Sequence, residues 1–345
     1  MTLARTAALV VLSGAALAAA PPKAPEPQVR FPVEVERVVV DARAVDDGGQ
    51  PLLGLGAKDF RVKVDGKVVP LASAQWVPGA PAPDEPMVVT PDEPAPEEGV
   101  VLGRLIVFFV QKDFEESRIG GLLRMQKMSL SLIAGLSPED RVAVVSYDTH
   151  LKLWLDFTTD RDRLRRVMLS VLRLGNDPEL PAGDFPSLAA HFDRERARRA
   201  ATPETALLVL ADALLPLPGP KTLVMVAWGM GRFDARSGTV DLDRDYGPAR
   251  RTLVDARVSV FCLDVTEADY HSLEVGLQQV AEDTGGFYAR THLFPAQALR
   301  RLEGALAGQY VLTFDKPNLP PGIHEIEVQL VGRKGTVLAR SSYEG

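Results

Sequence analysis

Cysteine is almost absent: Cys262 is the single one among 345 residues. One thiol cannot build a disulfide framework, and Cys262 sits inside the apolar run Val258–Leu263, where it reads as a small buried hydrophobe rather than a nucleophile. Excess positive charge is also missing. Asp and Glu total 46 against 39 Lys and Arg, a net charge of −7, and no basic stripe carries interleaved aromatics, so no nucleic-acid partner is expected. Arg194, Arg196, Arg198 and Arg199 alternate with acids, as a solvated helix face does. Histidine is sparse and scattered: His150, His191, His271, His292 and His324 make no H-E-x-x-H and no close pair. There is no G-x-S-x-G elbow, and Ser146, Asp148 and His150 are too near one another in sequence for triad geometry. Gly229-Met230-Gly231 lacks the third glycine of a dinucleotide fingerprint. These absences leave no catalytic residue and no cofactor to name, and the expectation is a protein that is not an enzyme.

What is present is ordinary globular material, 46% hydrophobic and 25% charged, of a length that suits about two domains. Residues 1–20 read as a signal peptide. Arg5 precedes an apolar run from Ala7 through Leu17, and Ala16-Leu17-Ala18 supplies a small-residue cleavage site, with the cut after Ala18 or Ala19. The run is too short for a good membrane span, and no cysteine follows it to carry a lipid. The expected mature protein is therefore periplasmic or secreted, with no integral membrane span.

Residues 30–77 alternate as antiparallel strands do: Val33, Val35, Val38 and Val40, then Phe60, Val62 and Val64, with Asp65-Gly66 as a tight-hairpin pair. Residues 78–99 hold repeated prolines, six acids and no base, the composition of a linker that cannot bury a core. From 100 to 308 strands and helices alternate. Buried-strand runs are expected at Leu105–Val110, Arg141–Tyr147, Lys221–Ala227 and Val258–Leu263, a hairpin partner at His150–Asp156, and a short edge strand at 285–288. Helices are expected near Ser117–Ile133, Asp160–Leu172, Pro203–Leu214, Tyr246–Ala256, Leu273–Ala281 and Ala296–Ala307. Such alternation predicts a doubly wound, mainly parallel, Rossmann-like sheet. Residues 309–345 return to β alternation. Short β segments at both ends cannot each be stable alone, so they are expected to pair into one small β-sandwich with the α/β domain inserted between them.

Two stretches carry a family likeness. GQPLLGLGAKDFRVKVDGK, Gly49–Lys67, resembles the opening module of bacterial secreted von Willebrand factor type A-related proteins, G-x-P-x-x-G-L-x-x-x-D-F-x-V-x-x-D-G, matching at Gly49, Pro51, Gly54, Leu55, Asp59, Phe60, Val62, Asp65 and Gly66. LSPEDRVAVVSYDTHLKLWLDFTTDRDRL, Leu136–Leu164, is similar to the second strand, hairpin and helix of a von Willebrand A domain, and the closing ARSSYEG loosely resembles the family's last strand. The likeness implies a doubly wound sheet beside a β-sandwich, and usually a binding module.

It also directs attention to the residues after the first buried strand. Ligands bind at the carboxyl ends of strands in open α/β sheets. In that place the family often holds a divalent cation through D-x-S-x-S, a threonine from a later loop and an aspartate after the fourth strand. Here the motif becomes Gln111-x-Asp113-x-Glu115, and the later strand ends Ala227-Trp228-Gly229, where T-D-G is usual. A neutral amide and an indole are poor substitutes for the oxygen ligands a hard cation requires. The expectation is a degenerate adhesion site that holds no metal, with the acids of DFEES favouring a helix N-terminus and Asp113 or Ser117 capping it. The strand-end face would then contact a protein or cell-surface partner through Gln111, Asp113, Glu115, Asp148, Trp228 and Phe233. Two alternatives stay open: a metal-dependent hydrolase or cation-dependent adhesion protein using Asp113 and Glu115, and a rebuilt cation site including Asp177, Glu179 or Asp184.

Overall fold

Strands buried on both faces must be apolar throughout, and the chain has four such runs, all of which form central strands. The fold is described from a computed structural model, for residues 36–79, 103–173, 175–181 and 183–345. The expected signal peptide and almost all of the proline-rich linker lie outside the described residues.

In chain order, β1 (Arg37–Val45) precedes a 3-10 turn (Ala57–Asp59), β2 (Phe60–Val64), β3 (Lys67–Val69) and β4 (Leu71–Pro78). The α/β stretch then runs β5 (Leu105–Gln111), α1 (Glu116–Ala134), β6 (Arg141–Tyr147), β7 (Leu151–Thr158), α2 (Arg161–Ser170), α3 (Arg194–Arg199), α4 (Pro203–Leu214) and β8 (Lys221–Ala227). A hairpin of β9 (Arg232–Asp234) and β10 (Thr239–Asp241) follows, then α5 (Tyr246–Asp255), β11 (Val258–Asp264), α6 (Glu274–Asp283), β12 (Tyr288–Arg290) and α7 (Pro295–Leu306). The chain closes with β13 (Gly308–Asp315), β14 (Ile323–Leu330), β15 (Thr336–Ala339) and β16 (Ser342–Glu344).

The fold is mixed α/β, with one mostly parallel six-stranded sheet and separate antiparallel sheets. The large sheet has the order β12-β11-β8-β5-β6-β7. All its pairings are parallel except β6 with β7. The two-residue period of β5 sorts its side chains between two cores. Leu105, Val107 and Phe109 join α4, α5 and α6 on one face, while Ile106, Phe108 and Val110 join α1, α2 and α7 on the other. Helix starts follow their sequence signals: Asp160, Asp193 and Thr202 each accept a backbone N–H three residues on, and Pro203 opens α4. Two details differ from the sequence expectation. The edge strand falls at 288–290 rather than 285–288, and the β9–β10 hairpin, with only Phe233 and Val240 apolar, is too short and exposed to have left a periodic signal.

The terminal segments pair with each other. Antiparallel sheets of order β15-β1-β13-β4 and β16-β14-β2-β3 each combine strands from both ends of the chain. β1 runs against β13 from Arg37 opposite Asp315 to Ala42 opposite Tyr310, and β2 against β14 from Val64 opposite Ile326 to Phe60 opposite Leu330. Their inward residues, among them Val40, Phe60, Val62, Tyr310, Phe314 and Ile326, make one buried cluster. Asp65 and Gly66 take positive φ at the β2–β3 turn, the geometry a two-residue hairpin demands. Arg43, buried, ties this cluster to the α/β part by donating to Ala305 O at 3.0 Å and Ser259 Oγ at 2.8 Å. Gly304 permits the same junction, since a Cβ there would lie 2.0 Å from Gly49 O.

Candidate functional site

The parallel strands end abreast. Gln111 lies opposite Tyr147, Val110 opposite Val226, and Asp264 opposite both Ala227 and Arg290, so the loops leaving β5, β8, β11 and β12 emerge along one edge. Gln111 is 1% exposed, and its Oε1 accepts from the backbone N–H groups of Trp228 at 3.1 Å and Gly229 at 3.3 Å. The amide oxygen is thus spent on joining the first and fourth strand ends, while the Nε2 beside it has no partner among the described residues.

The next residues close over this point. Asp113 takes the Glu115 N–H on Oδ1 at 3.0 Å, and its Oδ2 is ion-paired with Arg118 from α1. Arg118 also lies 3.3 Å from Glu115 Oε2 and stacks its guanidinium 3.8 Å from the centre of the Trp228 ring. A guanidinium therefore bridges the two acids of the motif and covers the indole, a geometry that its planar, always charged group favours. Trp228 is half-buried, against the core cluster below and Arg118 above, and its Nε1 has no partner among the described residues. The capping expectation needs correction: Glu115 is the helix N-cap without a side-chain bond, Ser117 lies within α1, and Asp113 caps the Glu115 amide alone.

Asp148, after β6, is not free. Lys152 Nζ donates to its Oδ2 at 2.8 Å and Lys112 Nζ lies 3.2 Å from the same oxygen. Burial would raise this carboxyl, but the Lys152 and Thr149 bonds and the Lys112 charge hold it well below the usual carboxylate range. Lys112 is lowered, chiefly by burial, against the pull of Asp148. Both ammoniums also donate to carbonyls, Lys112 to Arg173 O at 3.3 Å and Lys152 to Gly175 O at 3.0 Å, and Lys112 sits 5.1 Å from the centre of the Trp154 ring. Ser146, inside β6, accepts from Trp154 Nε1 at 2.7 Å, and His150 Nδ1 meets Thr149 Oγ1, so Ser146, Asp148 and His150 are a strand end and the turn that follows it. Phe233 projects, half exposed, from the β9–β10 hairpin. Asp177 is paired with Arg194 at 3.1 Å, while Glu179 and Asp184 are exposed. Cys262 is fully buried, which pushes its thiol far up and leaves it inert.

Sequence reading missed one constellation on the same edge. Asp264, at the end of β11, His271 in the following loop and Glu274 at the start of α6 bring one potential ligand atom each within 4.8 Å of one another. His271 Nε2 is 2.7 Å from Asp264 Oδ2, which also accepts from Tyr288 OH at 2.6 Å. Glu274 accepts from Tyr288 OH at 3.0 Å and from Arg290 Nε and Nη2, at 2.9 and 2.6 Å. Burial and these acceptors raise the Tyr288 phenol far above its usual range. Burial also pushes Glu274 up, but Arg290 and Tyr288 prevail and hold it low. A divalent ion of zinc type suits a His/Asp/Glu set. Here the two carboxylates already meet a phenol, a guanidinium and an imidazole, so an ion would compete with partners worth about 1.5–3 kcal/mol per charged bond. The five groups fasten the 265–273 loop to β11 and β12. The only trace in sequence is an Asp closing a buried strand, with His and Glu seven and ten residues on.

No protein-family profile matches the chain, and no curated protein matches it. Solved structures align with it at low similarity. A von Willebrand factor type A protein from Catenulispora acidiphila has TM-score 0.41 and 8% identity over 91% of this chain and 74% of its own. The conserved hypothetical protein BatB from Bacteroides thetaiotaomicron has TM-score 0.39 and 12% identity, covering 59% of this chain and 98% of its own. The PilB minor pilin of Streptococcus sanguinis has TM-score 0.36 and 12% identity, covering 61% of this chain and 62% of its own.

Proposed function

We propose that the chain is an extracytoplasmic, non-enzymatic binding module whose strand-end face meets a protein or cell-surface partner without the help of a bound cation. In this reading residues 100–308 form a von Willebrand A-like domain, and residues 30–77 and 309–345 form a β-sandwich beside it. One observation carries the proposal: Arg118 holds Asp113 and Glu115 over Trp228, while the Gln111 oxygen is bonded to backbone amides. A fixed internal positive charge stands among the acids that would otherwise attract a metal ion. The signal-like N-terminus supports the location. A photo-crosslinking amino acid at Phe233, compared with one at exposed Val68 on β3, tests the face in the native envelope. Discrete adducts at Phe233 and none at Val68 are expected; equal labelling at both sinks the proposal.

Metal-dependent hydrolysis is the second reading, and Asp264, His271 and Glu274 favour it more than Asp113 and Glu115 do, because they alone present convergent donor atoms among the described residues. Elemental analysis of protein purified without chelator separates the two. A stoichiometric transition metal lost in His271→Ala favours the second; none favours the first.

A further inference from the structure

The strand-end edge carries apolar surface that the fold does not use. Phe114 after β5, Phe233 after β8, Tyr270 after β11, and Leu293 and Phe294 after β12 are each 47 to 66% exposed. Among the described residues five Phe or Tyr side chains are this exposed, and four of them are in these loops, the fifth being Phe185. The loops are neighbours. Glu267 N donates to Ser117 O at 2.8 Å, Arg124 of α1 reaches both Glu267 and His292 O, and Arg118 of α1 lies on Trp228. Exposed aromatics gathered on one edge have the composition of interface anchors, whereas single scattered apolar residues require no explanation.

The charge around them is predominantly negative. Segments 113–117, 228–245 and 265–273 carry three, four and two carboxylates against three arginines, all of the latter in the middle segment. Arg118 and Arg124 are already engaged with Asp113 and Glu267. An acidic rim around aromatic anchors steers cations toward it and repels an anionic lipid surface. Building on the proposed binding role of this face, we infer that its partner is a cationic polypeptide segment carrying aromatic or aliphatic side chains.

Selection of a random twelve-residue phage-displayed peptide library on the full-length protein tests this. Peptides rich in Lys or Arg alongside Phe, Trp, Leu or Ile are expected, with binding that falls at least tenfold from 50 to 300 mM salt. Phe233→Ser, Phe294→Ser and Asp269→Asn should each weaken the best peptide severalfold, and Val68→Ser should leave it unchanged. Acidic or uncharged winners that are still lost in the Phe variants overturn the cationic partner while leaving the face intact. Winners indifferent to those variants, or no enrichment at all, overturn both. Co-sedimentation with anionic phosphatidylglycerol vesicles would equally contradict a polypeptide partner.

Discussion

Replacing Arg118 with alanine removes an ion pair with Asp113, a longer one with Glu115 and the stack on Trp228 together. The Arg118 and Asp113 side chains are 20% and 21% exposed, so their pair should exceed the surface median yet fall short of a buried pair, about 1 kcal/mol. The partly desolvated stack adds about 1 kcal/mol. Loss of Arg118 Nε, which has no partner among the described residues, returns part of this, since a buried donor without a partner is itself costly. The net loss is about 1.5 kcal/mol, a fall in Tm of about 2 °C for a chain of this size. Urea unfolding of the wild type, Arg118→Ala, Trp228→Phe and the double variant gives a cycle whose coupling should be about 0.5–1 kcal/mol. A coupling within about 0.2 kcal/mol of zero refutes the idea that guanidinium and indole act as one closure.

Three further outcomes follow from the geometry. Tyr310→Phe leaves the buried Leu55 N–H and Leu52 carbonyl, now 3.1 and 2.7 Å from the phenol oxygen, without a partner, and should cost about 1–3 kcal/mol in denaturant melts; a neutral effect contradicts the assigned bonds. Lys221, buried against Gly219 O and Ala256 O, is lowered by burial to about 8, so between pH 8 and about 10 the unfolded chain holds a proton that the folded chain has released. Stability from this group should therefore rise across that window, and Lys221→Met should flatten the pH slope measured by melts at matched ionic strength. His271→Ala cuts one tie of the 265–273 loop, and amide exchange at Thr266–Leu273 should speed up at least tenfold with the rest of β11 unaffected; unchanged exchange removes its fastening role.

The α/β part was legible because its strands carry uninterrupted apolar runs and its helices carry caps: LIVFFV, VAVVS and VSVFCL have no other comfortable home than a two-sided sheet, and Thr202-Pro203 marks the start of α4. Pairing of the terminal segments was legible from alternation and turns, Asp65-Gly66 above all. The site was readable only in part. Gln111, Asp113, Glu115 and Trp228 do lie together, because register alone brings the strand ends abreast. What fills the space between them was not readable, since Arg118 enters from the first turn of α1 through a long side chain whose direction the period cannot specify. Lys112 and Lys152 likewise engage Asp148 from the loop after β5 and from β7. His271 looked solitary because its partners stand on β11, α6 and β12, and tertiary proximity of that kind leaves no spacing rule.

Thermal melting of the unmodified protein in chelator, then in millimolar magnesium, calcium or manganese, tests the central claim most directly. A ligand that binds only the folded state stabilises it by about 2.7 kcal/mol at a hundredfold excess over its Kd. With the Gln111 oxygen bonded to Trp228 and Gly229 and with Arg118 holding Asp113, no shift in Tm is expected from any of the three ions. A saturable rise of several degrees that disappears in Asp113→Ala would contradict a cation-independent binding face.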